Sequence, residues 1–164
     1  YRLRALEQVE IFHHPADAAA EAKMLDYFRM VAGEEGKKGG SVEILGRNIE
    51  TVRRGHGVIW FDFRTLCGGP RSQNDYLEIS RAYHTVLLSH IPKMTAHQAS
   101  EARRFTWLVD VFYDNKVKLI ATADCAADDL YTEGTQASEF KRTVSRLTEM
   151  NSREYLALPH IVAP

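Results

Sequence analysis

The chain has 164 residues, of which 45% are hydrophobic and 26% charged, and its formal net charge is −1. This is enough apolar material for one core. It excludes a strongly basic nucleic-acid binder, and no apolar run approaches the roughly 18 residues that a membrane span needs. The two cysteines, Cys67 and Cys125, stand far apart, with no Cys-x-x-Cys or Cys/His spacing. That pattern favours reduced thiols over a disulfide framework.

The chain opens at Tyr1 on charged, helix-prone text, as expected of a cut within a longer protein. Tyr1 to Phe12 alternates enough for an edge strand or a linker. His14-Pro15 then bars a helix until Asp17 can cap one. The helix that follows carries Ala22, Leu25, Phe28 and Ala32 on one stripe, and Gly33 ends it. The next segment, GEEGKKGGS, reads as a charged flexible loop. Its Gly36-Lys37 looks like the end of a Walker A motif, but the first glycine would fall at Val31 and Lys38 stands where a Ser or Thr should hold magnesium.

The runs VEIL, IETVR and VIWFDF, separated by Gly46-Arg47 and by Arg54 to Gly57, predict successive antiparallel strands. Cys67 to Pro70 breaks the chain. Ser72 to Asp75 is a capping box leading a short helix through Tyr76, Ile79, Ser80 and Tyr83. His84 to Pro92 is an apolar strand, Thr95-Ala96-His97-Gln98 is a second capping box, and Glu101 to Asp124 reads as a helix feeding a buried strand. Strand, helix, strand with short joints implies a parallel pair with a right-handed crossover. Ser138 is expected to cap a last helix carrying Phe140, Val144, Leu147 and Met150. The tail, LPHIVAP, is expected to be loose.

The fold class is therefore α/β: a β-α-β parallel unit with flanking helices plus a small antiparallel β-hairpin or meander. Residues 1–40 form a linker and helix, 41–66 the hairpin or meander, and 67–158 the α/β part.

On the central helix, Ala102, Phe105, Val109 and Phe112 share a face that should cover the sheet. The opposite side carries Trp107 and Val111 between Arg103 and Arg104. Such a second, partly apolar face needs a second neighbour, either the last helix or meander of this chain or a domain outside it. Trp107 and Val111 are the protein-interface candidates.

Several motifs together resemble the C-terminal half of the ZapE family, P-loop ATPases of the AFG-one-like type. They are Tyr1-Arg2-Leu3-Arg4, Trp60-Phe61-Asp62-Phe63 with Leu66-Cys67, and Gly69-Pro70-Arg71-Ser72-Gln73-Asn74-Asp75-Tyr76. Ala102-Arg103-Arg104-Phe105, Leu108-Val109-Asp110, Phe112-Tyr113, Val117-Lys118-Leu119 and the closing run from Phe140 through Arg142, Ser145-Arg146-Leu147, Tyr155-Leu156 to His160 complete the match. The resemblance implies AAA+-like ATP hydrolysis by the intact protein, with ATP and magnesium, at bacterial division or in mitochondrial protein quality control. It implies bacterial cytoplasm ahead of the mitochondrial matrix, and an N-terminal ATPase domain, a homo-oligomer or division proteins as partners. The family's Walker A, Walker B, sensor and arginine-finger residues all precede the Tyr-Arg at which this chain starts. None can be placed on it, and the chain alone is expected to be inactive. Where the family commonly reads Asp-Glu-Phe, this chain has Asp110-Val111-Phe112, and Asp110 reads as structural.

No catalytic residue, cofactor site, metal site or nucleic-acid surface is therefore expected within the chain itself. Arg103, Arg104, Arg142 and Arg146 are the candidates for sensing a nucleotide held elsewhere, because guanidinium groups stabilise charge spread over phosphate oxygens. The alternative is ion pairing inside the domain, Arg142 with Glu139 and Arg103 with Asp110 or the Asp75 region. Thr122, Asp124 and Asp128 lie past a strand end, where they could hold a cation or water or cap the next turn. His84 and His90 share a parity but lack a third ligand. Cys67 has no His or Asn in a nucleophile arrangement.

Overall fold

The computed structural model describes residues 11–162. Its centre is the strand Val58–Asp62 (β6), whose residues are apolar up to Phe61 because both faces of the sheet are covered there. β6 runs parallel to Thr85–Ile91 (β7), which runs parallel to Lys118–Ala123 (β8). Alternate side chains separate into two cores. Ile59, Phe61, Val86, Leu88, Leu119 and Ala121 face one side, and Val58, Trp60, Leu87 and Ile120 face the other.

Phe12–His13 (β1) adds a parallel edge beside β8. Arg53–Arg54 (β5) and Lys37–Lys38 (β2) extend the opposite edge in antiparallel fashion, which gives the order β1-β8-β7-β6-β5-β2. Ser41–Ile44 (β3) and Arg47–Glu50 (β4) form a separate antiparallel hairpin. The α/β class with a mostly parallel sheet, flanking helices and a small hairpin is as the sequence reads. The antiparallel expectation for VIWFDF holds only toward β5. Toward β7 the pairing is parallel, since a strand this apolar belongs in the interior rather than in a surface meander.

Ala18–Ala32 (α1) covers the smaller core. Asp17 accepts a hydrogen bond from the Ala20 amide at 2.9 Å, and Gly33 closes the helix in the left-handed conformation with φ 72°. The buried stripe is Ala20, Met24 and Phe28, whereas Ala22 is exposed, so the helix is rotated from the expected Ala22, Leu25, Phe28, Ala32 face. The bulkier Met24 wins the contact with the sheet because it fills more of the smaller core, which it shares with Phe28 and Ile11. The segment expected as a flexible loop contains β2, and the edge strand or linker expected at Tyr1 to Phe12 lies mostly outside the described residues.

The larger core lies beneath Phe63–Cys67 (α2), Gln73–Ala82 (α3), Ala99–Asp114 (α4) and Ala137–Met150 (α5). Both capping boxes form, Ser72 with Asp75 and Thr95 with Gln98, the second opening a 3₁₀ turn that leads into α4. The short α2, capped by Asp62, was not legible beside the Cys67 to Pro70 break. At α5 the expected cap moves: Gln136, in the left-handed conformation with φ 66°, occupies the cap position, and Ser138 sits in the first turn beside Glu139.

The tail departs from its expected looseness. Lys118 is buried, and its Nζ donates to the carbonyls of Lys116 (2.8 Å), Tyr155 (3.1 Å) and Leu158 (2.8 Å). The ammonium also lies 4.6 Å from the Tyr155 ring centre. The last short helix, Arg153–Ala157 (α6), is thereby tied to the sheet. Beyond it, Ile161 N–H donates to the Asn115 carbonyl at 2.9 Å, and His160 meets the Ser80 carbonyl.

Candidate functional site

Arg103, Trp107, Arg142 and Arg146, singled out from the sequence, converge where α4 and α5 meet. Burial of Phe105, Val109 and Phe112 turns the other side of α4 toward α5, which buries Phe140, Thr143 and Leu147. The joint is fixed by Phe105 stacked on Phe140 at 6.1 Å, by Thr106 Oγ1 and Thr143 Oγ1 at 3.0 Å, and by Asp110 paired with Arg146. Above it lies a groove of about 330 Å³ lined by Gln73, Arg103, Thr106, Trp107, Asp110 and Arg142 among others.

The four arginines separate by role. Arg103 is exposed and has no ion pair among the described residues. Arg142 is 64% exposed, with Nη2 at 3.9 Å from Asp110 Oδ2. Arg146 pairs directly with Asp110 and lies over the Tyr113 ring at 5.1 Å. Arg104 turns away from the groove, and its Nε donates to the Cys67 carbonyl at 2.7 Å. The structure thus joins Arg103, Arg142 and Trp107 and assigns Arg104 and Arg146 to internal contacts. Trp107 and Val111 are partly buried against the larger core, so this chain covers one side of each.

The internal ion pairs differ from those expected. Asp110 takes both arginines of α5, because it faces that helix across the joint. Asp75 takes Arg47 from β4, at 2.7 and 2.8 Å to its two oxygens, and also accepts from the Ser72 amide at 2.7 Å. Burial opposes the Asp75 charge, but the Ser72 amide and the Arg47 contacts outweigh it and hold the carboxyl below the usual range. Its contribution to stability is present above the unfolded carboxylate value and is lost as pH falls through the lowered one.

A second constellation sits at the C-terminal edge of the parallel strands. His90 has φ 63° at a register shift in β7. Its amide donates to Thr122 Oγ1 at 2.9 Å, its Nδ1 lies 2.8 Å from Asp62 Oδ1, and its Nε2 lies 3.5 Å from Glu21 Oε1. The shift in register breaks the expected shared face of His84 and His90. Thr122 serves the backbone of β7, and the turn Ala127–Asp129 has Ala126 at its cap position with no side-chain cap, so Asp124 and Asp128 do not cap it. The Asp62 and Glu21 partners of His90 were missed because they come from distant elements. The one local signal was Asp62 at a strand end.

Cys67 is fully buried, and burial pushes its thiol up to about 12, the Tyr76 hydroxyl and Arg104 only partly offsetting this. A thiol so protonated is no nucleophile. In the native chain at pH 8, Ellman's reagent is expected to label the half-buried Cys125 promptly and Cys67 only after denaturant is added; prompt labelling of both would contradict this placement.

The model of the AFG1-like ATPase family matches residues 1–159. The chain belongs to that family. It is 38% identical over 161 residues to the cell division protein ZapE of Escherichia coli K12, covering 98% of this chain and 43% of that relative. It is 30% identical over 146 residues to lactation elevated protein 1 homolog B of Danio rerio, covering 70% of this chain and 29% of that relative. The chain thus spans less than half the length of these curated relatives. No solved structure matches it.

As an AFG1-like ATPase chain it raises the question of a nucleotide. Gly36-Lys37 does not precede a helix; Lys37 and Lys38 pair instead with Arg54 and Arg53 in an antiparallel edge. A P-loop needs backbone amides at a helix N-terminus. The α4–α5 groove offers two guanidinium groups and an indole without such a loop, and so does not by itself fit the phosphates and magnesium of a nucleotide.

Proposed function

We propose that this chain is the C-terminal α/β part of a ZapE-like P-loop ATPase that hydrolyses ATP with magnesium in bacterial cell division or protein quality control. The nucleotide is held by an N-terminal part outside the chain, and the whole acts in the bacterial cytoplasm. The reading is carried by the match over 98% of this chain against 43% of the division-protein relative. No described helix is long and apolar enough to cross a membrane.

In this reading the α4–α5 groove meets the nucleotide-binding part or a neighbouring subunit. Arg103 and Arg142 supply exposed positive charge and Trp107 a flat apolar anchor, the residue types that dominate interface energetics. Within the intact protein, Arg103→Ala combined with Arg142→Ala is expected to lower ATP turnover about tenfold or more at unchanged thermal stability. Unchanged turnover would remove the groove from the mechanism. A non-catalytic protein-interaction module is the second reading, favoured by the half-covered Trp107; loss of partner binding in Trp107→Ala with ATP turnover intact would select it.

A further inference from the structure

The edge formed by β2 and β5 carries charge that the fold leaves uncompensated. Lys37 stands directly opposite Arg54, and Lys38 opposite Arg53. Like charges facing one another in an antiparallel pair are destabilising. The second pair is relieved: Arg53 donates to the Glu35 carbonyl at 2.8 Å, approaches the Glu35 carboxylate and lies 6.0 Å from the Phe28 ring centre. The first pair is not. Among the described residues neither Lys37 nor Arg54 meets a carboxylate.

Arg54 is also held at a cost. Its Nη1 donates to the Ser41 carbonyl at 3.3 Å and its guanidinium lies against Gly40, where an added Cβ would come within 2.9 Å of Nη2. Among the described residues its Nε is buried with no acceptor, a state that disfavours folding. Lysines on an exposed edge strand block edge pairing and need no further account. An arginine turned inward from the neighbouring strand, with an unmet donor, does.

Arg54 and Lys37 line a cavity of about 560 Å³ between the hairpin and the sheet edge, together with Ser41, His56, Tyr83 and the single carboxylate Glu34. Glycines 36, 39 and 40 all have positive φ, so the backbone turns tightly beside these cations. An Ala at Gly36 would put its Cβ 2.3 Å from the Arg54 carbonyl. We propose that this cavity binds a phosphoryl group, with the terminal guanidinium nitrogens of Arg54 and with Lys37 and His56 as flanking donors. The site is independent of the α4–α5 groove and of ATP hydrolysis. A free phosphate ester and a phosphorylated side chain of a protein offer the same chemistry.

The test is NMR titration of the isotopically labelled chain with inorganic phosphate, then with glycerol phosphate and a phosphoserine peptide, each against sodium chloride of equal ionic strength. Saturable shifts confined to the Gly36, Lys37, Gly55 and His56 amides are expected, with affinity lowered about tenfold in both Arg54→Gln and the exposed Lys37→Gln. Tighter binding of the peptide assigns a protein source, and equal or tighter binding of glycerol phosphate a small ester. Absence of saturable shifts in the wild-type chain, or equal shifts in a folded Lys37→Gln variant, overturns the site.

Discussion

Phe105→Ala is expected to lower the stability of the chain by about 4 kcal/mol, the upper range for truncating a buried aromatic. Phe105 is fully buried and bridges three helices: its ring centre lies 6.0 Å from Phe63 of α2 and 6.1 Å from Phe140 of α5. The loss combines the transfer energy of the ring with the cavity left between helices that the sheet prevents from closing. Because the same ring seats α5 on α4, the variant should also loosen the groove of Arg103, Arg142 and Trp107. Urea unfolding should show a lower midpoint with little change of slope. A loss below about 1 kcal/mol would mean that α5 is not packed as described.

The second large effect is expected at Lys118. Lys118→Met keeps most of the side-chain volume but removes the donor shared by the Lys116, Tyr155 and Leu158 carbonyls. Hydrogen bonds to charged groups contribute about 1.5–3 kcal/mol each; the Lys116 and Leu158 carbonyls lose the ammonium whereas the Tyr155 carbonyl keeps the Leu158 amide at 3.0 Å, so a net loss of about 3 kcal/mol is expected. The readout that separates this role from simple packing is local. Amide exchange at Ile161, bonded to the Asn115 carbonyl in the native chain, should accelerate more than exchange within β8. Uniform acceleration would show that Lys118 acts only through the core.

The contrast between these two positions shows what the sequence could reveal. Phe105 was legible, because its spacing from Ala102, Val109 and Phe112 follows the helix period and needs no knowledge of the partner. The caps at Asp17, Ser72 and Thr95 were legible for the same reason, each being satisfied within three residues. Lys118 was not. A lysine inside an apolar strand becomes intelligible only when the carbonyls that satisfy it, 37 and 40 positions away, are brought to it. Its capture of α6 is also what orders a tail that reads as loose.

Partner choice between strands was hidden in the same way. The apolar text of β6 declares burial but not direction, so its parallel side went unread. At the candidate site the residue types on α4 and α5 were readable, whereas their division was not. Arg104 and Arg103 are adjacent in sequence, but the helix turns one toward the Cys67 carbonyl and the other into the groove. The partners of Asp110 and Asp75 likewise depended on which elements the fold brings opposite them.

In the proposed function this chain works with a nucleotide-gripping part rather than as a hydrolase itself. Phosphate release from ATP and magnesium by the purified chain of 164 residues tests this, with the Arg103→Ala/Arg142→Ala variant as the control. Release indistinguishable from a protein-free blank is expected for both. Magnesium-dependent turnover by the wild-type chain that is lost in the groove variant would overturn that reading.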